Sequence, residues 1–116
     1  HATKKINLFC YFQLMISVIN YIIKFWRDDA RDSSPARLTI LTERINAVRD
    51  NQTVGMLKNG DIFAWTTGGS GRHYSEIRPD SYYCSCVGFA TSSPTEQQKQ
   101  PCKHLYTLAS GTLTNW

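Results

Sequence analysis

Three cysteines and one histidine near the C-terminus have the residue types and the spacing of a metal site. Cys84 and Cys86 form a Cys-x-Cys pair, and after fifteen intervening residues Cys102 and His104 form a Cys-x-His pair. Three thiolates and one imidazole make a complete tetrahedral ligand set for zinc. The pattern therefore predicts one structural Zn²⁺ ion, because a catalytic zinc would need a position left open for water or substrate.

The two pairs must be carried by different elements. Alternate residues of an extended strand share a face, so a strand over 81–86 would aim both sulfurs of the first pair at one ion. Residues two apart on a helix point to nearly opposite sides. We therefore expect Cys102 just before a helix and His104 in its first turn. That helix is predicted over 103–109, and Gly111 is expected to close it.

Disulfide bonds and simple burial are two alternatives to a metal site that the sequence leaves open. Disulfides would need an oxidising compartment, and a bridge between residues as close as Cys84 and Cys86 would be strained. The set could also be ordinary buried cysteines with a hydrogen-bonded histidine, although the two-residue step repeated at both ends argues against this. Cys10 lies apart in an apolar stretch and is expected to be a small core residue.

The two pairs resemble the SWIM-type zinc finger, whose pattern is Cys-x-Cys, a variable gap and Cys-x-His. The resemblance covers roughly residues 54–108 and implies a ββα-like zinc module. A chain of this length is most similar to the small SWIM proteins of Shu-type recombination complexes, which work beside RecA-like paralogues. The resemblance thus implies a zinc-stabilised protein-interaction module, an accessory factor in DNA recombination or repair that binds a RecA-like paralogue. The polar, glutamine-rich spacer at 87–101 departs from the family, so no contact made by that loop is carried over.

A long apolar helix is predicted at the N-terminus, over about residues 6–27. Its polar residues recur at steps of four, three and four and form one narrow stripe, consisting of Gln13, Ser17, Asn20 and Lys24. So large an apolar surface is expected to pack partly on its own domain and partly on a second chain. The second chain would be either a copy of this chain, in a homodimer through this helix, or a different partner. The alternatives are a buried central helix and a membrane segment, and the polar stripe argues against lipid on every side.

A second helix and a sheet are predicted to follow the polar run at 28–33. Ser34 fits an N-cap, and the helix over 35–50 has one apolar stripe, formed by Leu38, Leu41, Ile45 and Val48. Strand patterns then flank the Asn59-Gly60 turn and a glycine-rich turn at 67–71. The sequence therefore predicts an α+β fold. Residues 1–50 would form a helical region and 51–116 an antiparallel β-sheet with the zinc module, together as one compact domain.

The net charge of +4 is concentrated away from the predicted zinc module. Residues 1–50 carry eight basic and five acidic groups, whereas 51–116 carry five and four. Because phosphate contacts dominate nucleic-acid affinity, DNA contact is expected to be weak or indirect. A weak site for single-stranded nucleic acid remains an alternative, and its candidate contacts are Arg72, Arg78, Tyr82, Tyr83, Lys99 and Lys103. The alternative function is a direct DNA-binding accessory protein of a transposon, a virus or a transcription system.

No residue pattern in the chain indicates catalysis. A Ser-His-Asp set, a Cys-His pair outside the metal site and informatively spaced carboxylates are all missing from the sequence. We therefore expect that the protein is not an enzyme. We also expect an intracellular location, because a reducing compartment keeps thiolates available for zinc.

Overall fold

Two helices precede a four-stranded sheet, as the sequence predicts. The computed structural model describes residues 2–68, 71–91 and 100–115, with the backbone alone for 2–12, 91 and 115. The helices are α1 (Ala2–Arg31), α2 (Pro35–Asp50), the short α3 (Val87–Thr91) and α4 (Lys103–Asn115). The strands are β1 (Gln52–Met56), β2 (Ile62–Gly68), β3 (Gly71–Ile77) and β4 (Tyr82–Cys84). The predicted α+β fold class is confirmed.

The sheet is an antiparallel meander in the order β1-β2-β3-β4. The Asn59-Gly60 hairpin forms as predicted, because Gly60 adopts a φ of 97°, a conformation that side chains with a Cβ disfavour. The Asn59 Oδ1 atom accepts a hydrogen bond from the Asp61 N–H at 3.0 Å, which holds the turn. The hairpin sets the register, in which Gly55 faces Phe63.

This register gives the sheet two faces of different character. The core face is covered by α1 and α4, and its strand residues are Ile62, Ala64, Ile77, Tyr82 and Cys84. From the helices, Ile22 and Leu105 are completely buried against it. The opposite side, here called the outer face, carries Phe63, Trp65, Arg72, Tyr74, Glu76 and Tyr83.

Helix α1 is longer than the predicted span of 6–27. The polar run at 28–33 does not stop it, because Asp28 pairs with Lys24 at 3.6 Å and with Arg31 at 3.2 Å, one helical turn away on either side. All four residues of the predicted polar stripe are exposed, while Met15, Ile19 and Ile22 are buried. Packing of α1 on its own domain is therefore confirmed. Among the described helices, none combines the length and the apolar character that a membrane span requires.

Helix α2 begins where the sequence predicts. The Ser34 Oγ atom accepts a hydrogen bond from the Arg37 N–H at 3.2 Å, which confirms the N-cap. Only the second half of the predicted apolar stripe is buried, at Ile45 and Val48, while Leu38 is 37% exposed. The start of α2 therefore contributes less to the core than its end.

Helix α4 corrects one prediction, because Gly111 does not end it. The helix continues to Asn115. Leu108 and Ala109 are buried in the core, and the Thr112 hydroxyl donates to the Leu108 carbonyl at 2.8 Å. Burial of this turn outweighs the local cost of a glycine within the helix, which is about 1 kcal/mol relative to alanine.

Candidate metal centre

The two predicted pairs meet at one end of the core. Cys84 is the last residue of β4 and Cys86 lies two residues further on, while Cys102 directly precedes α4 and His104 lies in its first turn. The four ligand atoms all lie within 4.8 Å of one another. The structure thus brings together the complete Cys₃His set, with the second pair at a helix start as predicted.

The separations between these atoms fit a tetrahedral ion. The His104 Nδ1 atom lies 3.7 Å from the Cys84 Sγ atom and 3.7 Å from the Cys102 Sγ atom. Metal–ligand distances of about 2.3 Å for sulfur and 2.05 Å for nitrogen, at the tetrahedral angle, give a sulfur–nitrogen separation of about 3.6 Å. The four side chains could therefore hold one metal ion and would fill its tetrahedral coordination.

Helix starts position one cysteine of each pair. The Cys86 Sγ atom accepts a hydrogen bond from the Phe89 N–H at 3.3 Å, and the Cys86 carbonyl accepts from the Ala90 N–H at 3.1 Å. The Cys102 carbonyl likewise accepts from the Tyr106 N–H at 3.0 Å. The Phe89 amide carries partial positive charge and stabilises a thiolate on Cys86, whereas the bonds to the two carbonyls hold the backbone of Cys86 and Cys102.

The sheet positions the remaining cysteine. Ser75 lies opposite Cys84 in the register of β3 and β4, and its hydroxyl donates to the Cys84 sulfur at 3.4 Å. Pairing continues past the end of β4, because the Ser85 N–H donates to the Tyr74 carbonyl at 2.9 Å. The strand itself ends at Cys84, short of the predicted end at Cys86, and Cys86 lies in a bend that leads into α3.

Burial and mutual hydrogen bonding change the acidity of the cluster. Hydrogen bonds with Cys102 and Cys84 lower the pKa of the Cys86 thiol, whereas hydrogen bonds with Cys84 and Cys86 raise that of Cys102. Burial opposes a charge on His104, but hydrogen bonds to the two cysteines raise its pKa to about 9. A metal ion held by all four groups would therefore displace protons from Cys102 and His104. The described cysteines Cys84, Cys86 and Cys102 are all free of disulfides.

A cleft of about 410 Å³ lies beside the cluster. Cys86, Cys102 and His104 contribute to its wall, and none of the described residues that line it is acidic. Basic groups enter it from two helices, Arg44 of α2 and Lys103 of α4. Three thiolates and a dication carry a net charge of −1, so these cations would offset the charge of a loaded site.

The six candidate nucleic-acid contacts do not share one surface. Arg72 and Tyr83 lie on the outer face, whereas Tyr82 lies on the core face, is 8% exposed and stacks with Tyr21. Arg78 pairs with Glu76. Lys103 lies beside the metal centre, and Lys99 lies outside the described residues.

Three aromatic residues of the outer face were not among the predicted contacts. Phe63, Trp65 and Tyr74 lie together there, and Arg72 lies over Trp65. The sequence signal for Phe63 and Trp65 was the alternation within β2, where they interleave with Ile62 and Ala64, and this signal does not extend to Tyr74 of β3. Because both sets are apolar, the alternation could not show which side faces solvent.

Comparisons with protein-family models, with curated proteins and with solved structures found no match for this chain. The candidate metal centre is therefore described from the geometry of this chain alone. It is a Cys₃His set, buried at three of its four residues and carried by the end of β4, the segment before α3 and the start of α4, that could hold one metal ion.

Proposed function

We propose that this chain is a zinc-stabilised protein-interaction module. The observation that carries the proposal is the convergence of three sulfurs and the His104 Nδ1 atom within 4.8 Å. Thiolate and imidazole donors favour zinc among the common divalent ions, and a closed tetrahedron suits a structural role. Four protein ligands leave no inner-sphere position for a substrate, so the metal would support the fold and not a reaction.

The metal would stabilise the fold by joining β4 to α4. Fifteen residues separate Cys86 from Cys102, and a covalent cross-link over a loop of that length contributes about 3 kcal/mol in the chain-entropy model. The helix that it anchors carries Leu105 and Leu108, which are 0% and 1% exposed at the centre of the core. Loss of the ion would therefore loosen the packing of α4 on the sheet.

The cleft beside the metal centre is the surface that we assign to the protein partner. Trp26, Leu41 and Val87 supply apolar contacts there, and Val87 is 73% exposed. Arg44 and Lys103 add positive charge. A partner segment with an apolar side chain flanked by carboxylates would complement this lining. The resemblance to small SWIM proteins supports a RecA-like paralogue as the partner, in an intracellular complex for DNA recombination or repair.

Metal analysis tests the first part of the proposal. We expect one zinc per chain by elemental analysis, and a cobalt-substituted sample should show the absorption of tetrahedral cobalt with thiolate charge-transfer bands. His104→Ala should weaken metal retention. A six-coordinate cobalt spectrum, or zinc content that His104→Ala leaves unchanged, would contradict a closed Cys₃His site.

Co-purification with RecA-like paralogues encoded in the same genome tests the partner. Val87→Asp should abolish capture while zinc is retained, because Val87 is exposed and supplies no ligand. The matched control is Met56→Asp, another exposed apolar residue, on β1 at 60% exposure, and it should leave capture intact. If Val87→Asp captures the partner as well as the native chain does, the cleft is not the docking surface.

A further inference from the structure

The outer face of the sheet carries a cluster of aromatic rings. Trp65 and Tyr74 lie opposite each other in the register of β2 and β3, with ring centroids 5.0 Å apart. The Phe63 ring lies 6.1 Å from Tyr74 at an interplanar angle of 22°. Atoms in a face-to-face stack would be about 3.5–4 Å apart, so these two nearly parallel rings are displaced sideways.

Gly55 makes room for the Phe63 ring to lie against the sheet. A Cβ atom at Gly55 would be 2.8 Å from two atoms of that ring, which is closer than carbon atoms can approach. The ring therefore occupies the space that a side chain on β1 would fill. The Phe63 ring therefore lies over Gly55 of β1 and remains half-buried.

Positive charge accompanies these rings. The Arg72 guanidinium lies 4.2 Å from the centroid of the Trp65 ring, and no ion pair to Arg72 occurs among the described residues. Glu76, on the same face, is paired with Arg78 and accepts a hydrogen bond from the Tyr74 hydroxyl at 2.5 Å. The carboxylate of the face is thus neutralised, whereas Arg72 keeps a net positive charge.

We propose that the outer face binds single-stranded nucleic acid, with bases stacked on Phe63, Trp65 and Tyr74 and a phosphate held by Arg72. Every base presents a π-face for such stacking, and a duplex hides those faces. With one phosphate contact, the binding should be weak and should depend only modestly on salt. A proline-rich peptide also packs on aromatic rings, but it lacks phosphates, and the uncompensated Arg72 favours the nucleic acid. The proposal uses neither the metal centre nor the cleft beside it.

Fluorescence anisotropy with the intact, zinc-loaded chain tests this site. The probe is a labelled oligothymidylate of about 12 nucleotides, a length within the site sizes of single-strand binders. Trp65→Leu should weaken binding by roughly fivefold or more, because a stacked base contributes about 1–3 kcal/mol. Trp65→Phe retains a ring and should recover most of the affinity. A duplex of the same length should bind more weakly than the single strand.

The salt dependence tests the role of Arg72 separately. Arg72→Gln should reduce the slope of log K against log salt by about 0.7, the value for one phosphate contact on a single strand. Arg49→Gln makes the same charge change at an exposed position of α2 and should leave the slope unchanged. Equal effects of the two arginine substitutions would overturn the proposal, and so would equal binding by the Leu and Phe variants at Trp65.

An NMR titration of the native chain keeps the test independent of any folding defect in the variants. Addition of the oligothymidylate should shift amide signals of the outer face, including Gly55, more than those of α2. Shifts confined to the cleft beside the metal centre would overturn the assignment. Binding of a proline-rich peptide at the outer face, with no binding of the oligonucleotide, would overturn it in favour of a protein ligand.

Discussion

Replacement of Cys84 by serine isolates the contribution of one ligand to the proposed zinc site. Cys84 is 1% exposed, and its sulfur accepts a hydrogen bond from the Ser75 hydroxyl. A serine hydroxyl is close in size and can still pair with Ser75, so the substitution leaves no buried group without a partner. It replaces a soft thiolate with a neutral oxygen that zinc binds poorly. The loss of stability should therefore reflect the loss of metal binding.

The size of the effect follows from the ligand count. Structural zinc sites in finger peptides contribute about 10–16 kcal/mol, so one ligand of four corresponds to about 3 kcal/mol. That change weakens the dissociation constant roughly 100-fold. At a fixed excess of zinc, mass action then lowers the free energy of unfolding by about 3 kcal/mol. For a chain of 116 residues, this corresponds to a decrease in Tm of roughly 10 °C.

Competition with a chromophoric chelator measures the dissociation constant, and circular dichroism measures the Tm with and without zinc. Cys10→Ser is the control for the dissociation constant, because Cys10 lies outside both ligand pairs, and it should leave zinc affinity unchanged. The wild-type and Cys84→Ser proteins should have similar Tm values once chelator is in excess. Wild-type zinc affinity in Cys84→Ser, or a Tm difference that persists unchanged in chelator, would contradict a structural metal ligand at Cys84.

Two further predictions concern stability. A Cβ would meet no atom within 4 Å at either Gly111 or Gly71, but Gly71 has a φ of +113°. Gly111→Ala should therefore stabilise the fold by roughly 1 kcal/mol, and Gly71→Ala should destabilise it by a similar amount. Thermal melts in which both variants shift the Tm in the same direction would contradict these opposite effects. Burial alone would raise the pKa of Glu76, but hydrogen bonds from its tyrosine and arginine partners bring it below the ordinary 4.5. The stabilisation by the Glu76 carboxylate is present above pH 4.5 and is lost as the pH falls through the lower pKa of the folded state. Glu76→Gln should therefore be less stable than wild type at neutral pH, and the stabilities of the two proteins should converge in acid. The exposed Glu43→Gln variant is the control and should show no such convergence.

The candidate metal centre was predictable because its geometry is mostly local. Within each pair, the two-residue step fixes the directions of both ligand side chains, provided that the first pair lies at a strand end and the second pair at a helix start. Its supporting contacts were not predictable. The hydroxyl of Ser75 reaches Cys84 only through the register of β3 and β4, and the Trp26 indole donates to the Pro101 carbonyl at 2.9 Å across 75 residues of sequence.

Helix ends were predicted less well than helix existence. The polar run at 28–33 and the glycine at 111 are both local stop signals, and both are overridden in the structure. In α1, ion pairs one turn apart make the polar residues compatible with helix. In α4, the contacts of Leu108 with the core hold the turn that contains the glycine. The ion pairs that extend α1 are local and could be read from the neighbouring residues, whereas the burial that extends α4 could not.

The outer face is linked to the metal centre through β4. The Tyr83 ring, which is 43% exposed on that face, packs edge-on against Phe89 at 5.9 Å. The Phe89 N–H in turn donates to the Cys86 sulfur. At the other edge, the β1–β2 hairpin is closed by its own turn at Gly60, and its open end meets the metal centre on the core face, where the Gln52 amide donates to the His104 carbonyl at 3.2 Å. Loss of the metal should therefore reach the outer face through β4, while the stacking rings of β2 keep their support from the hairpin.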